Sequence, residues 1–139
     1  MTRKYWTGAH TTHRLRFHIV LLPKYRRRVL KGKIATRIKQ LFYQACQMNK
    51  WWIDEINLQP DHLHMLIQIK PRESVSSVVQ LLKGGSSKVI RVEFPDLEEY
   101  LWGDSFWSDG YFAESVGTVN EEIIKQYIKN QHAASIEGD

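Results

Sequence analysis

The stretch QPDHLHMLIQIK, residues 59–70, decides the fold. Leu63, Met65, Ile67 and Ile69 alternate with His62, His64, Leu66, Gln68 and Lys70. A period of two is the mark of a strand with one buried face. Gln59-Pro60-Asp61 ahead of it is turn chemistry. The preceding run WWIDEINL, 51–58, is therefore its hairpin partner, although its own alternation is ragged.

Working outward, RLRFHIVLL at 14–22 puts Leu15, Phe17, Ile19 and Leu21 on one face and Arg14, Arg16 and His18 on the other, and Pro23 ends it. Residues 33–49 carry Ile34, Ile38, Leu41, Phe42, Ala45 and Met48 on one helical stripe. A second helix starts near Ser74 with Val75, Val78, Val79 and Leu82. Its stripe resumes at Val89, which predicts continuation through Gly84-Gly85 to about Val92, and Pro95 forbids going further. SFWSDGYFAESV, 105–116, reads as a broken or bulged fourth strand. A last helix opens on a capping box, Thr118 to Glu121, and runs to about Gln131.

The resulting order, β-α-β-β-α-β-α, predicts an α+β fold. It is a ferredoxin-like antiparallel sheet (βαββαβ) with helices on one face, plus a C-terminal helix carrying Tyr127. The opposite face is expected to stay open and to display Arg14, Arg16, His18, His62 and His64.

The chain of 139 residues fits one domain, 1–139. With 42% hydrophobic and 25% charged residues it is not of the disordered class. No apolar run approaches the roughly 18 residues of a membrane helix, and the N-terminus lacks a signal-peptide core, so a cytoplasmic location is expected. Cys46 is the sole cysteine, which excludes an internal disulfide and a multi-cysteine zinc site. The net charge is +5, and residues 1–50 contain no Asp or Glu. That asymmetry favours a polyanion partner, nucleic acid first.

Residues i and i+2 of a strand share a face, so His62 and His64 point the same way and could ligate one ion. Two histidines on a wet sheet surface would look the same in sequence. Asp61 suits either a turn or a carboxylate that orients an imidazole. Tyr127 and Gln131 stand one helical turn apart. They read either as a core tyrosine with a helix-end glutamine, or as a nucleophile with an amide-oxygen ligand. An ordinary phenol, with a pKa of about 10, attacks poorly at neutral pH without a base or a polarised target.

The basic run Lys24, Tyr25, Arg26, Arg27 and Arg28 has forks that suit phosphate oxygens and a ring that could stack on a base. A solvated loop is the alternative. KGGSSK offers Lys83, Ser86, Ser87 and Lys88 to a phosphate backbone, or is a plain helix interruption; it does not match a P-loop.

Taken together, FHIVLLPKYRRRVL (17–30), QPDHLHMLIQI (59–69), LLKGGSSK (81–88), WSDGYFAESVG (107–117) and YIKNQ (127–131) resemble the TnpA-type transposases of bacterial and archaeal insertion sequences. These form the single-tyrosine branch of the HUH nuclease superfamily. The resemblance spans nearly the whole chain. It implies Tyr127 as nucleophile; His62, His64 and Gln131 as ligands of Mg²⁺ or Mn²⁺; and Arg14, Arg16, Lys24 and Arg26 to Arg28 as contacts to DNA backbone. It also implies homodimers, in which the tyrosine helix can dock on the partner, acting on single-stranded DNA with hairpin ends. Two other readings are a relative acting on dispersed palindromic repeats and a non-catalytic RNA-binding domain of the same strand order. Against the latter, the RNA-recognition signature K/R-G-F/Y-G/A-F-V-x-F/Y is absent.

Overall fold

Alternation at 16–21 and 62–68 gives two central strands, and everything else packs on them. The computed structural model describes residues 6–7, 12–13, 15–101, 105–117 and 125–130. Trp6–Thr7 (β1) and Thr12–His13 (β2) form a short antiparallel ladder. Arg16–Leu21 is β3, Gly32–Asn49 is α1, Trp52–Gln59 is β4 and His62–Gln68 is β5. Val75–Glu93 is α2, Glu98–Leu101 a short α3, Phe112–Val116 is β6, and residues 125–130 are helical (α4). The capping box at Thr118–Glu121, together with Arg14 and Gln131, lies outside the described residues.

The main sheet is antiparallel in the order β4-β5-β3-β6, the ferredoxin-like arrangement the sequence predicts. Its register pairs Val20 with His64, His18 with Leu66 and His18 with Glu114. One face sends Ile19, Leu21, Leu63, Met65 and Ile67 against Ile38, Phe42 and Cys46 of α1 and Val78, Val79, Leu82 and Ile90 of α2, all buried. Each such side chain contributes roughly 1.5–3 kcal/mol by leaving water. Burial also pushes the Cys46 thiol up to about 12. Met48, expected on the α1 stripe, is exposed, and Cys46 takes the inward position. Cys46 continues the four-residue spacing of Ile38 and Phe42, and Met48, two residues further on, lies about 200° round the helix.

The helix α2 starts at Ser74, whose hydroxyl accepts from the Ser77 amide at 3.1 Å. It runs unbroken through Gly84 and Gly85, as the resumed stripe predicts. The fourth strand is indeed in two pieces. Besides β6, Trp107 bridges to Pro23, with Lys24 N donating to Phe106 O and Ser108 N to Leu22 O, both at 2.9 Å.

The second face is not open, which corrects the expectation. Ile128 of α4 is buried with Leu66 and Val116 in a separate apolar cluster, and Lys129 Nζ lies 3.8 Å from Glu55 Oε2 on β4. Leu66 sits at a face-two position between histidines, and it needs an apolar cover that α4 supplies. No helix among the described residues is long and apolar enough to cross a membrane.

Candidate active site

The tight turn at Pro60-Asp61 delivers β5 with two imidazoles on its second face. The rings of His62 and His64 lie 4.7 Å apart, nearly perpendicular. Asp61 Oδ1 is 2.7 Å from His62 Nδ1, and Arg26 Nε donates to Asp61 Oδ2 at 3.0 Å. Burial raises the Asp61 carboxyl, but its hydrogen bond to His62, the His62 charge and Arg26 outweigh that and leave it below its usual value. A carboxylate only accepts, so His62 carries a proton on Nδ1, and in its neutral form the lone pair is on Nε2. That Nε2 is buried and has no hydrogen-bond partner among the described residues. A buried bare nitrogen of this kind calls for a ligand.

His64 is 6% exposed. Its Nδ1 is 3.3 Å from Nε2 of His18, and His18 Nδ1 is 3.3 Å from Glu114 Oε1. Burial, and then the neighbouring His62 and His18, lower the His64 pKa to about 4, so it is neutral at physiological pH. The Tyr127 ring stands edge-on to His64 at 5.6 Å and to His18 at 6.2 Å. Its α4 neighbour Ile128 is the anchor, and Tyr127 itself stays 51% exposed. Tyr127 thus meets the histidines within one chain, although 63 positions separate it from His64.

The donor set, two imidazoles on one face with an unpartnered buried nitrogen on His62, fits a borderline divalent cation. The described residues contain no cluster of three His, Cys, Asp or Glu side chains able to hold a metal.

The basic residues separate into two groups. Tyr25, Arg26, Arg27 and Arg28 are exposed around a one-turn 3₁₀ helix, Lys24–Arg26, with Lys24 Nζ 5.7 Å from the Tyr25 ring centre. Tyr25 and Arg26 both hold positive φ, 58° and 52°. Such backbone strain costs of order 1–3 kcal/mol per residue and is typical of working loops.

The other group corrects the expectation. Arg16 is buried, with Nε 2.5 Å from Asp54 Oδ2, and so does not meet DNA from an open face. Lys83 Nζ donates to the carbonyls of Ser108, Asp109 and Gly110, at 2.6, 3.1 and 3.3 Å. Ser86 Oγ donates to Leu82 O at 2.6 Å and accepts from Trp107 Nε1 at 2.9 Å; Ser87 Oγ accepts from the Phe106 amide at 2.8 Å. These three side chains clamp the 105–110 segment, adding to the two backbone hydrogen bonds it makes with Leu22 and Lys24. Of Lys83, Ser86, Ser87 and Lys88 only Lys88 is exposed; with Lys83, Ser87, Arg91 and Tyr111 it lines a groove of about 780 Å³.

Sequence reasoning placed His18 on the right face without giving it a role, and it missed Glu114. The alternation of β3 was the available signal for His18. Glu114 has no local signal, because only the β3–β6 register sets it opposite His18.

The fold and the likeness to known proteins together define a DNA transposase of the TnpA type. The chain belongs to the family of IS200-like transposases, whose family model matches residues 11–131. It is 30% identical to the ISDra2 transposase TnpA of Deinococcus radiodurans over 90% of this chain and 89% of that protein. It is 37% identical to the transposase for insertion sequence element IS200 of Salmonella typhimurium, over 88% of this chain and 80% of that one. Among solved structures, a transposase from D. radiodurans superposes with a TM-score of 0.74 at 28% identity, covering 91% of this chain and 97% of that chain. A REP-associated tyrosine transposase bound to a REP hairpin shares the fold, with a TM-score of 0.66 at 14% identity, covering 96% and 72%.

Proposed function

We propose that the chain cleaves and rejoins single-stranded DNA at the ends of its element through a covalent tyrosine link, with a divalent metal. The observation that carries this reading is the approach of the Tyr127 ring to His64, 5.6 Å away, beside the bare buried Nε2 of His62. His62 and His64 would hold the ion through Nε2, with Gln131 as the third ligand and Mg²⁺ or Mn²⁺ as the metal. The bound ion would polarise the scissile phosphate and stabilise charge in the transition state. Imidazole donors suit Mn²⁺ better than Mg²⁺ on grounds of softness.

Tyr127 Oη attacks phosphorus in line. The bond from phosphorus to the 3′-oxygen breaks, and the phenol proton ends on the departing 3′-hydroxyl. A 5′-phosphotyrosine remains. It conserves the energy of the phosphodiester, so a second 3′-hydroxyl can displace Tyr127 and join strands without a nucleotide triphosphate. Lys24, Tyr25, Arg27 and Arg28 would track the DNA backbone, and Lys88 offers a further contact. Recognition of hairpin ends is supported by the fold shared with a relative that binds one. The homodimer is supported by the resemblance alone. Because the tyrosine and histidines meet in one chain, each subunit of such a dimer could act without borrowing its partner's helix.

The test is a labelled single-stranded oligonucleotide carrying the element end, incubated with protein and Mn²⁺ and run on a denaturing protein gel. A shifted covalent adduct is expected from wild type. None is expected from Tyr127→Phe, which should bind the strand as before. Absence of any wild-type adduct or cleavage would sink the reading.

A further inference from the structure

His18 is a histidine at the middle of a buried strand with both ring nitrogens engaged. It is 5% exposed, stacked parallel on His64 at 5.5 Å with 11° between planes, and flanked edge-on by Phe112 at 5.9 Å. Packing alone would be met by any flat ring. The nitrogens are what need explaining, since one faces a carboxylate and the other faces the histidine next to Tyr127.

We propose that Glu114 and His18 are positioning residues that fix the proton of His64 on Nδ1, leaving Nε2 bare as a metal ligand. This rests on the reading of His62 and His64 as ligands. The chain of protons follows from donor chemistry. An ionised Glu114 only accepts, so the His18 nitrogen facing it, Nδ1, carries a proton. A neutral imidazole has one N–H, so His18 Nε2 is an acceptor. The His64 nitrogen beside it, Nδ1, must then donate. A neutral His64 has no second proton, and its Nε2 keeps the lone pair.

His62 reaches the same state by a different route. There His62 Nδ1 donates directly to Asp61, and Arg26 holds Asp61. The two histidines have unrelated tethers, one carboxylate from their own turn and one relay from β3 and β6, yet both resolve to the tautomer with a free Nε2. This combination lets both bind one ion through Nε2. Outer partners of this kind orient ligand histidines and change metal affinity by 10- to 100-fold.

The experiment has two readouts. Long-range ¹H–¹⁵N correlation spectra of metal-free wild-type protein at neutral pH report each histidine tautomer without any mutation. His64 is expected with Nδ1 protonated; protonation on Nε2 overturns the proposal. Mn²⁺ affinity is then measured by calorimetry on wild type, His18→Phe, His18→Gln and Glu114→Ala. Phenylalanine keeps the ring and loses the acceptor, so Kd is expected to rise about 10- to 100-fold. The glutamine oxygen can accept from His64 Nδ1 and is expected to recover most of that loss. Glu114→Ala, at a half-exposed side chain, is expected to weaken binding severalfold, and it serves if His18→Phe does not fold. Equal Mn²⁺ affinity in wild type, His18→Phe and Glu114→Ala overturns this inference and spares the proposed function. A wild type that binds no Mn²⁺ overturns both.

Discussion

The two faces of the sheet are built from alternate residues of the same strands, yet they are closed in different ways. The face of Leu63, Met65 and Ile67 meets two long helices and a continuous apolar core. The face of His62, His64 and Leu66 is capped by α4, through one small cluster of Leu66, Val116 and Ile128 and an ion pair at 3.8 Å. The first face holds the fold together. The second combines buried polar groups with a cover held by one small apolar cluster, one ion pair and the Tyr127 ring.

The largest expected effect falls on the second face and on chemistry alone. Tyr127→Phe should reduce strand cleavage by about a thousandfold or more, as loss of a nucleophile does, with the thermal midpoint unchanged. A denaturing gel and a melting curve measured on the same sample check it. Retained cleavage would mean that the tyrosine at this face is ornamental.

The faces should then separate in stability. Met65→Ala removes a fully buried core side chain and is expected to cost about 2–5 kcal/mol in urea titration. Ile128→Ala is also fully buried, but its loss is limited to the docking energy of α4, because the helix can detach while the sheet stays folded. It should cost less than half as much and release hydrogen-exchange protection in 125–130. A global loss equal to that of Met65→Ala would contradict the distinction.

A smaller pair of effects contrasts the two basic stretches. Lys83→Met leaves three carbonyls without their donor and should lower stability by about 1–3 kcal/mol, while single-strand affinity holds. Arg27→Ala with Arg28→Ala should do the opposite. Stability should hold, and affinity should fall with a salt slope shallower by about 1.4, at about 0.7 per lost contact to single-stranded DNA. Binding isotherms across a salt series decide it.

The mildest effect is on pH dependence. An unfolded His64 takes a proton near 6.5, but the folded one does so only near 4. Between those values the unfolded chain binds the extra proton, so stability is full above 6.5 and declines as pH falls toward 4. Imidazole NMR titration of metal-free protein should place the His64 midpoint near 4. A midpoint near 6.5 would show that α4 does not keep the site dry.

Much of this was legible in the residues. Period-two alternation gave both central strands, QPD gave the hairpin, and the resumed stripe carried α2 across Gly84-Gly85. The His-x-His pair declared its shared face for the same reason, since i and i+2 cannot point apart in a strand. What misled were residues whose environment comes from elsewhere in the chain. Arg16 reads as a surface cation until Asp54 is brought to it from β4. Lys83, Ser86 and Ser87 read as phosphate ligands until an irregular segment 20 or so positions later turns out to need their donors and acceptors.

The sequence by itself determined the order of elements, the hydrophobic face and the pairing of His62 with His64, because periodicity and turn chemistry act over a few residues. Tertiary structure alone decided that α4 covers the second face, that Tyr127 meets His64, and that Glu114 and His18 stand behind it. Those relations depend on strand register and on where a distant helix docks, and no local pattern of side chains encodes either.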